Sequence, residues 1–178
     1  MSILSVYHHR TPEQPNKVLT HTTDIAATLA EHGLDFSQHE LTARPRPGGG
    51  REAVVQALGP ELQTLLDAQR CTAFEVLDCD GEEGRPQGGE EEHAYAIEEV
   101  FVVFSGRAQL TVRRGEWVFA VLCERGDALR VPNGSGRWLS LGDRPFCVAV
   151  RLLEKKGNSM PVDDDGAKAG EFPGMDEL

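Results

Sequence analysis

The spacing of apolar and polar positions changes character twice along the chain. Up to about Gln69 it reads as one short strand followed by helices. Ile3, Val6 and Tyr7 mark an edge strand that ends at Thr11-Pro12 and Pro15. Thr22 or Thr23 can cap a helix beginning at Asp24, with Ile25 and Leu29 on its apolar face and Gly33 placed to end it. Arg44 to Gly50 is a Pro- and Gly-rich break. Ala53, Val54, Ala57 and Leu58 then form a helical stripe, which Gly59-Pro60 interrupts and Leu62, Leu65 and Leu66 resume. The pattern predicts two helices or one kinked helix.

From Phe74 to Leu153 the period shortens to that of strands. Phe74-Glu75-Val76-Leu77 reads as a strand, and Asp80 to Glu92 as a loop rich in Gly and Glu. Val100–Phe104, Gln109–Arg113, Glu116–Leu122, Ala128–Val131, Arg137–Leu141 and Cys147–Leu153 follow, each short and bounded by Gly, Asp, Asn or Pro. That spacing predicts an all-β barrel. Ser105-Gly106-Arg107 and Arg114-Gly115 read as hairpin turns. Residues 154–178, with Asp163-Asp164-Asp165 and several Gly and Pro, read as a flexible acidic tail with Phe172 as its docking point. The expected organisation is a helical N-terminal arm over residues 1–70, a barrel over 71–153 and the tail.

Composition narrows the functional classes. The formal net charge of the 178 residues is −11, and Lys and Arg form no cluster. A nucleic-acid partner is therefore not expected, since such binding exchanges basic side chains for counterions. No run of eighteen apolar residues occurs, so no membrane span is expected. The first residues lack the basic and apolar regions of a signal peptide, and a cytoplasmic location follows as the expectation. Cys71, Cys79, Cys123 and Cys147 contain no C-x-x-C pair and read as reduced cysteines, Cys123 and Cys147 within apolar runs.

Candidate chemistry concentrates in Glu92-His93-Ala94-Tyr95-Ala96-Ile97-Glu98-Glu99-Val100. Residues two apart on a strand share a face, so His93 and Tyr95 point the same way, and Glu99 keeps their parity. An imidazole, a phenol and a carboxylate in one cavity can hold a divalent metal, or carry acid–base chemistry without one. The bland alternative, a surface histidine among glutamates, fits this short pattern too. His8, His9, His21, His32 and His39 all fall in the N-terminal arm and read as solvated surface.

This segment resembles the first metal strand of the acireductone dioxygenases, cupins of methionine salvage, whose motif is E-H-x-H-x-x-x-E-V. The resemblance continues through Val118 to Asp127, Val131-Pro132, Arg137-Trp138 and Gly142. It implies a cupin (jelly-roll) β-barrel with a helical N-terminal arm, and a small-molecule substrate. A homodimer would also suit it, because cupins often pair barrels edge to edge. The family holds Ni²⁺ or Fe²⁺ with three histidines and a glutamate. Here His93 and Glu99 match two of those ligands, while Tyr95 and Arg137 stand in place of the other two. Phe101 replaces an arginine that helps bind substrate, and the tryptophan usual after the last strand is absent.

These departures make ordinary acireductone turnover unexpected and leave three readings. In the leading one, His93, Tyr95 and Glu99 hold an Fe or Ni ion in a metal-dependent oxygenase. Arg137, with Phe101 and Trp138 nearby, would then bind a small anionic metabolite, sulfur-containing by inheritance, in specialised metabolism. Arg137 opposes this: at ~5 Å and effective ε ≈ 20, its repulsion of a divalent ion is roughly 6–7 kcal/mol. The second reading is a metal-independent isomerase, cyclase or lyase in which Glu99 pairs with Arg137, His93 is the base and Tyr95 the acid. The third is a non-catalytic binding barrel.

Overall fold

The computed structural model describes residues 1–86, 88–156, 159–160 and 166–177, the side chains of 159 and 160 excepted. Asp163-Asp164-Asp165, read above as part of the tail, lies outside them. The order of elements is β1 (Ile3–His8), β2 (Lys17–Leu19), α1 (Thr22–Ala30), β3 (Asp35–Gln38), α2 (Arg51–Leu58), α3 (Pro60–Gln69), β4 (Ala73–Asp80), β5 (Ala94–Tyr95), β6 (Glu99–Arg114), β7 (Trp117–Glu124), β8 (Asp127–Val131), β9 (Arg137–Ser140), β10 (Phe146–Leu153) and β11 (Ser159–Met160). Two short 3-10 turns, Ala169–Glu171 and Met175–Glu177, follow. Gly59, with φ +54°, separates α2 from α3, and Pro60 opens the second helix.

The barrel is organised around β6. Its first half pairs with β8 and β10, its second half with β7 and β9, so one strand belongs to both sheets. Ser105-Gly106-Arg107, expected as a hairpin, is instead the bend inside this strand of 16 residues. The register with β10 shifts there, from Ser105↔Val148 to Val103↔Ala149. Gly106 has φ +70°, and a Cβ there would lie 1.9 Å from the Phe146 carbonyl oxygen. Only glycine fits a bend that close to the neighbouring strand, beside the bulge at Phe104. Arg114-Gly115 does form a hairpin, joining β6 to β7. The N-terminal arm is woven into the barrel: β1 pairs with β7, and β3 with β8.

Alternation divides the apolar residues of β6. Phe101, Val103, Leu110 and Val112 point into the barrel with Val121, Leu129 and Leu139, and Ile25 and Leu29 of α1 join that cluster. Val100, Val102 and Phe104 point outwards and are covered, with Val148 and Val150, by Val54, Leu58, Leu62, Leu65 and Leu66 of α2 and α3. Each such side chain taken from water contributes about 1.5–3 kcal/mol. A third cluster lies on the outer face of the other sheet, where Tyr7, Val118, Ala120 and Trp138 pack on Phe172.

Phe172 anchors a strap in the region where the sequence predicts a flexible tail. The Ala167 amide donates to the His9 carbonyl, and Met175 donates its amide to Ser140 Oγ. Gln109 Nε2 donates to the Pro173 carbonyl. Earlier in the same segment, β11 pairs with β5 through Ser159↔Tyr95 and Met160↔Ala94. All four cysteines are buried and free.

Candidate active site

The open end of the barrel holds a cavity of about 350 Å³, lined by residues of β4, β5, β6, β9 and β10. His93 enters it just before β5. The backbones of His93 and Arg137 exchange hydrogen bonds in both directions, at 2.9 and 2.8 Å, which ties the histidine to the start of β9. The His93 ring lies 5.3 Å from that of Tyr95, edge to face. Its Nδ1 is 3.0 Å from the Glu91 carbonyl oxygen. A carbonyl only accepts, so Nδ1 carries the proton in that bond and Nε2 is the ring nitrogen left to the cavity.

Glu99 begins β6 and is only 2% exposed; the Arg137 side chain beside it is fully buried. Arg137 Nη1 donates to Glu99 Oε1 at 2.5 Å. Its Nε and Nη2 donate to the Ser135 carbonyl at 3.2 and 3.1 Å. Arg151, on β10, donates from Nε to Glu99 Oε2 at 2.6 Å and from Nη1 to Glu75 Oε2 at 2.6 Å. Each Glu99 oxygen is thus held by a different guanidinium. Burial alone would push the Glu99 carboxyl up, but Arg151 and then Arg137 outweigh it and hold it below the usual carboxylate range. Both cations also face the Tyr95 ring, Arg151 at 4.8 Å and Arg137 at 5.5 Å from its centroid.

His93, Tyr95, Glu99, Phe101 and Arg137 line one cavity, Glu99 from the start of β6 and not, as strand parity supposes, from the strand of His93 and Tyr95. Trp138 does not join them. Adjacent strand residues face opposite ways, so with Arg137 inside, Trp138 lies outside in the strap cluster, 5.7 Å from the Phe172 ring. Two charged residues that the sequence reading passed over also line the cavity: Arg151 and Glu75. Alternation would have found Arg151, since Cys147, Ala149 and Arg151 share a face; the apolar run around it hid the signal. Glu75 was hidden in the same way by Phe74, Val76 and Leu77.

The fold is that of the cupins, and comparison with known proteins narrows the class. The acireductone dioxygenase of Pseudomonas syringae pv. syringae (strain B728a) is 36% identical over 183 residues, covering 99% of this chain and 100% of that one. Its counterpart in Pseudomonas fluorescens (strain Pf-5) is 37% identical over 184 residues, with the same coverage. Among solved structures, the acireductone dioxygenase from Bacillus anthracis, with a cadmium ion in its active centre, matches at a TM-score of 0.70 and 15% identity. It covers 90% of this chain and 98% of that one. No family model matches the sequence. The chain belongs to the acireductone dioxygenase family, cupins whose members are metal-dependent dioxygenases.

The donor set in this cavity does not suit the family's metal. Among the described residues, no group of three or more His, Cys, Asp or Glu side chains is arranged to hold an ion. Glu99 has committed both oxygens to arginines, and Tyr95 lies beneath the same two cations. Among the described residues, His93 Nε2 and the Tyr95 hydroxyl are the donors of this set left without a hydrogen-bond partner, two where the family uses four. A divalent ion would have to displace two charge-assisted hydrogen bonds and sit beside both guanidinium groups.

Proposed function

We propose that the chain is a metal-independent member of its family, an isomerase, cyclase or lyase that moves a proton on a small anionic metabolite. The observation that carries this reading is the pairing of the two Glu99 oxygens with Arg137 and Arg151. That pairing turns a former ligand into the counter-ion of an anion-binding arginine. His93 Nε2 is the general base, with its ring fixed by the Glu91 carbonyl. Tyr95, edge to face with His93, supplies the acid or steadies developing negative charge. Arg151 takes the substrate anion, the task that Arg137 has in the sequence reading: Arg137 is fully buried and commits Nη1, Nε and Nη2 to protein acceptors. Phe101, Leu110 and Leu139 give the substrate an apolar wall. A salvage-enzyme barrel with its ligands replaced fits reuse in specialised metabolism, on a substrate that retains the sulfur of the family's own.

The second reading is an oxygenase with a reduced ligand set, in which His93, Tyr95 and Glu99 hold Fe or Ni. Membership of a metal-dependent family over 99% of the chain favours it. Metal analysis separates the two. Protein purified without a metal-binding tag is incubated with excess Ni²⁺, Fe²⁺ or Zn²⁺ and desalted. The metal-independent reading expects far less than one ion per chain in each case. One tightly held ion per chain, lost in both His93→Ala and Glu99→Ala, would return the oxygenase to first place.

A further inference from the structure

Arg151 is equipped to grip a carboxylate but is partly occupied. An arginine captures a carboxylate end-on through the parallel N–H bonds of Nη1 and Nη2. Here Nε is committed to Glu99, and Nη1 to Glu75. Nη2 has no hydrogen-bond partner among the described residues. Half of the end-on face is therefore open to the cavity, and a protein carboxylate occupies the other half.

The two carboxylates on Arg151 differ in a way that assigns them different tasks. Glu99 is 2% exposed, lies deep in the barrel and is also held by Arg137. Glu75 stands directly opposite Arg151 on β4, and its side chain is 60% exposed. Its side chain makes no other hydrogen bond among the described residues and can swing into water at small cost. Charge points the same way. Arg137 and Arg151 balance Glu99 and Glu75, so an entering anion finds no net attraction from these four side chains until Glu75 leaves.

We infer that Glu75 is a specificity-determining gate of this cavity: a carboxylate that occupies the end-on face of Arg151 and must be displaced by the substrate's own carboxylate. This rests on the reading of Arg151 as the anion site. The gate sets a threshold, since only a ligand that offers both oxygens to Nη1 and Nη2 replaces what Glu75 gives up. It also repels a second negative charge at the mouth, and so selects monocarboxylates with an apolar body over dicarboxylates.

The test uses the full chain, with propionate and succinate as probes, titrated calorimetrically at low ionic strength. Glu75→Gln should bind propionate about five-fold more tightly than the natural protein, and succinate should gain more than propionate does. Glu75→Asp, which keeps the charge, should gain less than Glu75→Gln for both probes. It also serves as the control if the glutamine variant melts at a lower temperature. Arg151→Gln should lose saturable binding of both anions. Saturable binding by the natural protein that Glu75→Gln leaves unchanged or weaker overturns the gate, while the anion-site reading stands. No saturable binding of either probe by any of these proteins overturns the anion-site reading, and the gate with it.

Discussion

Two buried arginine–glutamate pairs sit on opposite faces of neighbouring strands, and only one belongs to a site. On the outer face, Arg113 grips Glu92 through Nε and Nη2, both at 3.0 Å. It lies 5.8 Å from the ring centres of both Trp138 and Phe172 and donates to the Ala167 carbonyl. On the inner face, Arg137 grips Glu99, but Glu99 is shared with Arg151, whose remaining nitrogen opens on the cavity. The outer pair is a closed clamp behind His93, fastened by the strap. The inner pair has a third, partly exposed member and a space beside it. Buried charge alone is a weak sign of function, because structural pairs look the same in sequence. A cavity and an uncommitted donor make the difference.

The largest effect should come from returning the inner face to the family's ligand set. Tyr95→His with Arg137→His removes a cation and supplies two imidazoles beside His93 and Glu99. The double variant should take up about one Ni²⁺ per chain and melt at a higher temperature with the metal than without it. Uptake no greater than that of the natural protein would mean that Arg151 alone keeps the ion out. Next in size is Arg137→Ala, which leaves Glu99 buried with a single partner. Breaking a buried pair typically costs about 3–5 kcal/mol, and Arg151 should hold the loss near the lower bound. Denaturant unfolding measures it, and a loss under about 1 kcal/mol would remove Arg137 from the network's essential members.

On the outer face, Glu92→Gln keeps the shape of the clamp and removes its charge. Arg113 retains the Ala167 carbonyl and its aromatic neighbours. The expected cost is about 1–3 kcal/mol, the range for weakening a charged hydrogen bond. Anion binding in the cavity should not change. A variant that keeps its stability but binds propionate differently would show that the clamp belongs to the site after all.

The same two faces explain what the sequence made legible. His93 and Tyr95 could be placed together because residues two apart share a face, whereas Glu99 reaches the same cavity from a separate strand, β6, after the break at residues 96–98. Val100, Val102 and Phe104 could not be assigned a face. Both sides of β6 are apolar, one filling the barrel and one covered by α2 and α3, so alternation gives no direction. Ser105-Gly106-Arg107 was ambiguous because a glycine at positive φ serves a hairpin and a bulge equally well. The docking of Phe172 was legible from its being a large apolar residue in a polar stretch. The partners of the strap, on β1, β6 and β9, are contacts distant in sequence that no local pattern encodes.

The smallest effect expected on stability is also the one that best separates the members of the inner network. Arg151 is 17% exposed, so in Arg151→Gln water and the glutamine amide can replace part of what Glu99 loses. A cost of about 1–2 kcal/mol at neutral pH follows, within the range for a hydrogen bond to a charged group. Its pH dependence has a definite sign. The Glu99 carboxyl is held below its ordinary value in the folded chain, with Arg151 the leading attractive cause. Its stabilisation is therefore fully present above the unfolded carboxyl value of ~4.3, and is lost as pH falls through the lower folded value. Without Arg151 the folded value rises towards the unfolded one. The difference in stability between the natural protein and Arg151→Gln should then be constant above about pH 5 and shrink as the solution is acidified. A difference that stays constant into acid would show that Arg137 alone sets the ionisation of Glu99, and that Arg151 is held in the cavity for its ligand and not for its partner.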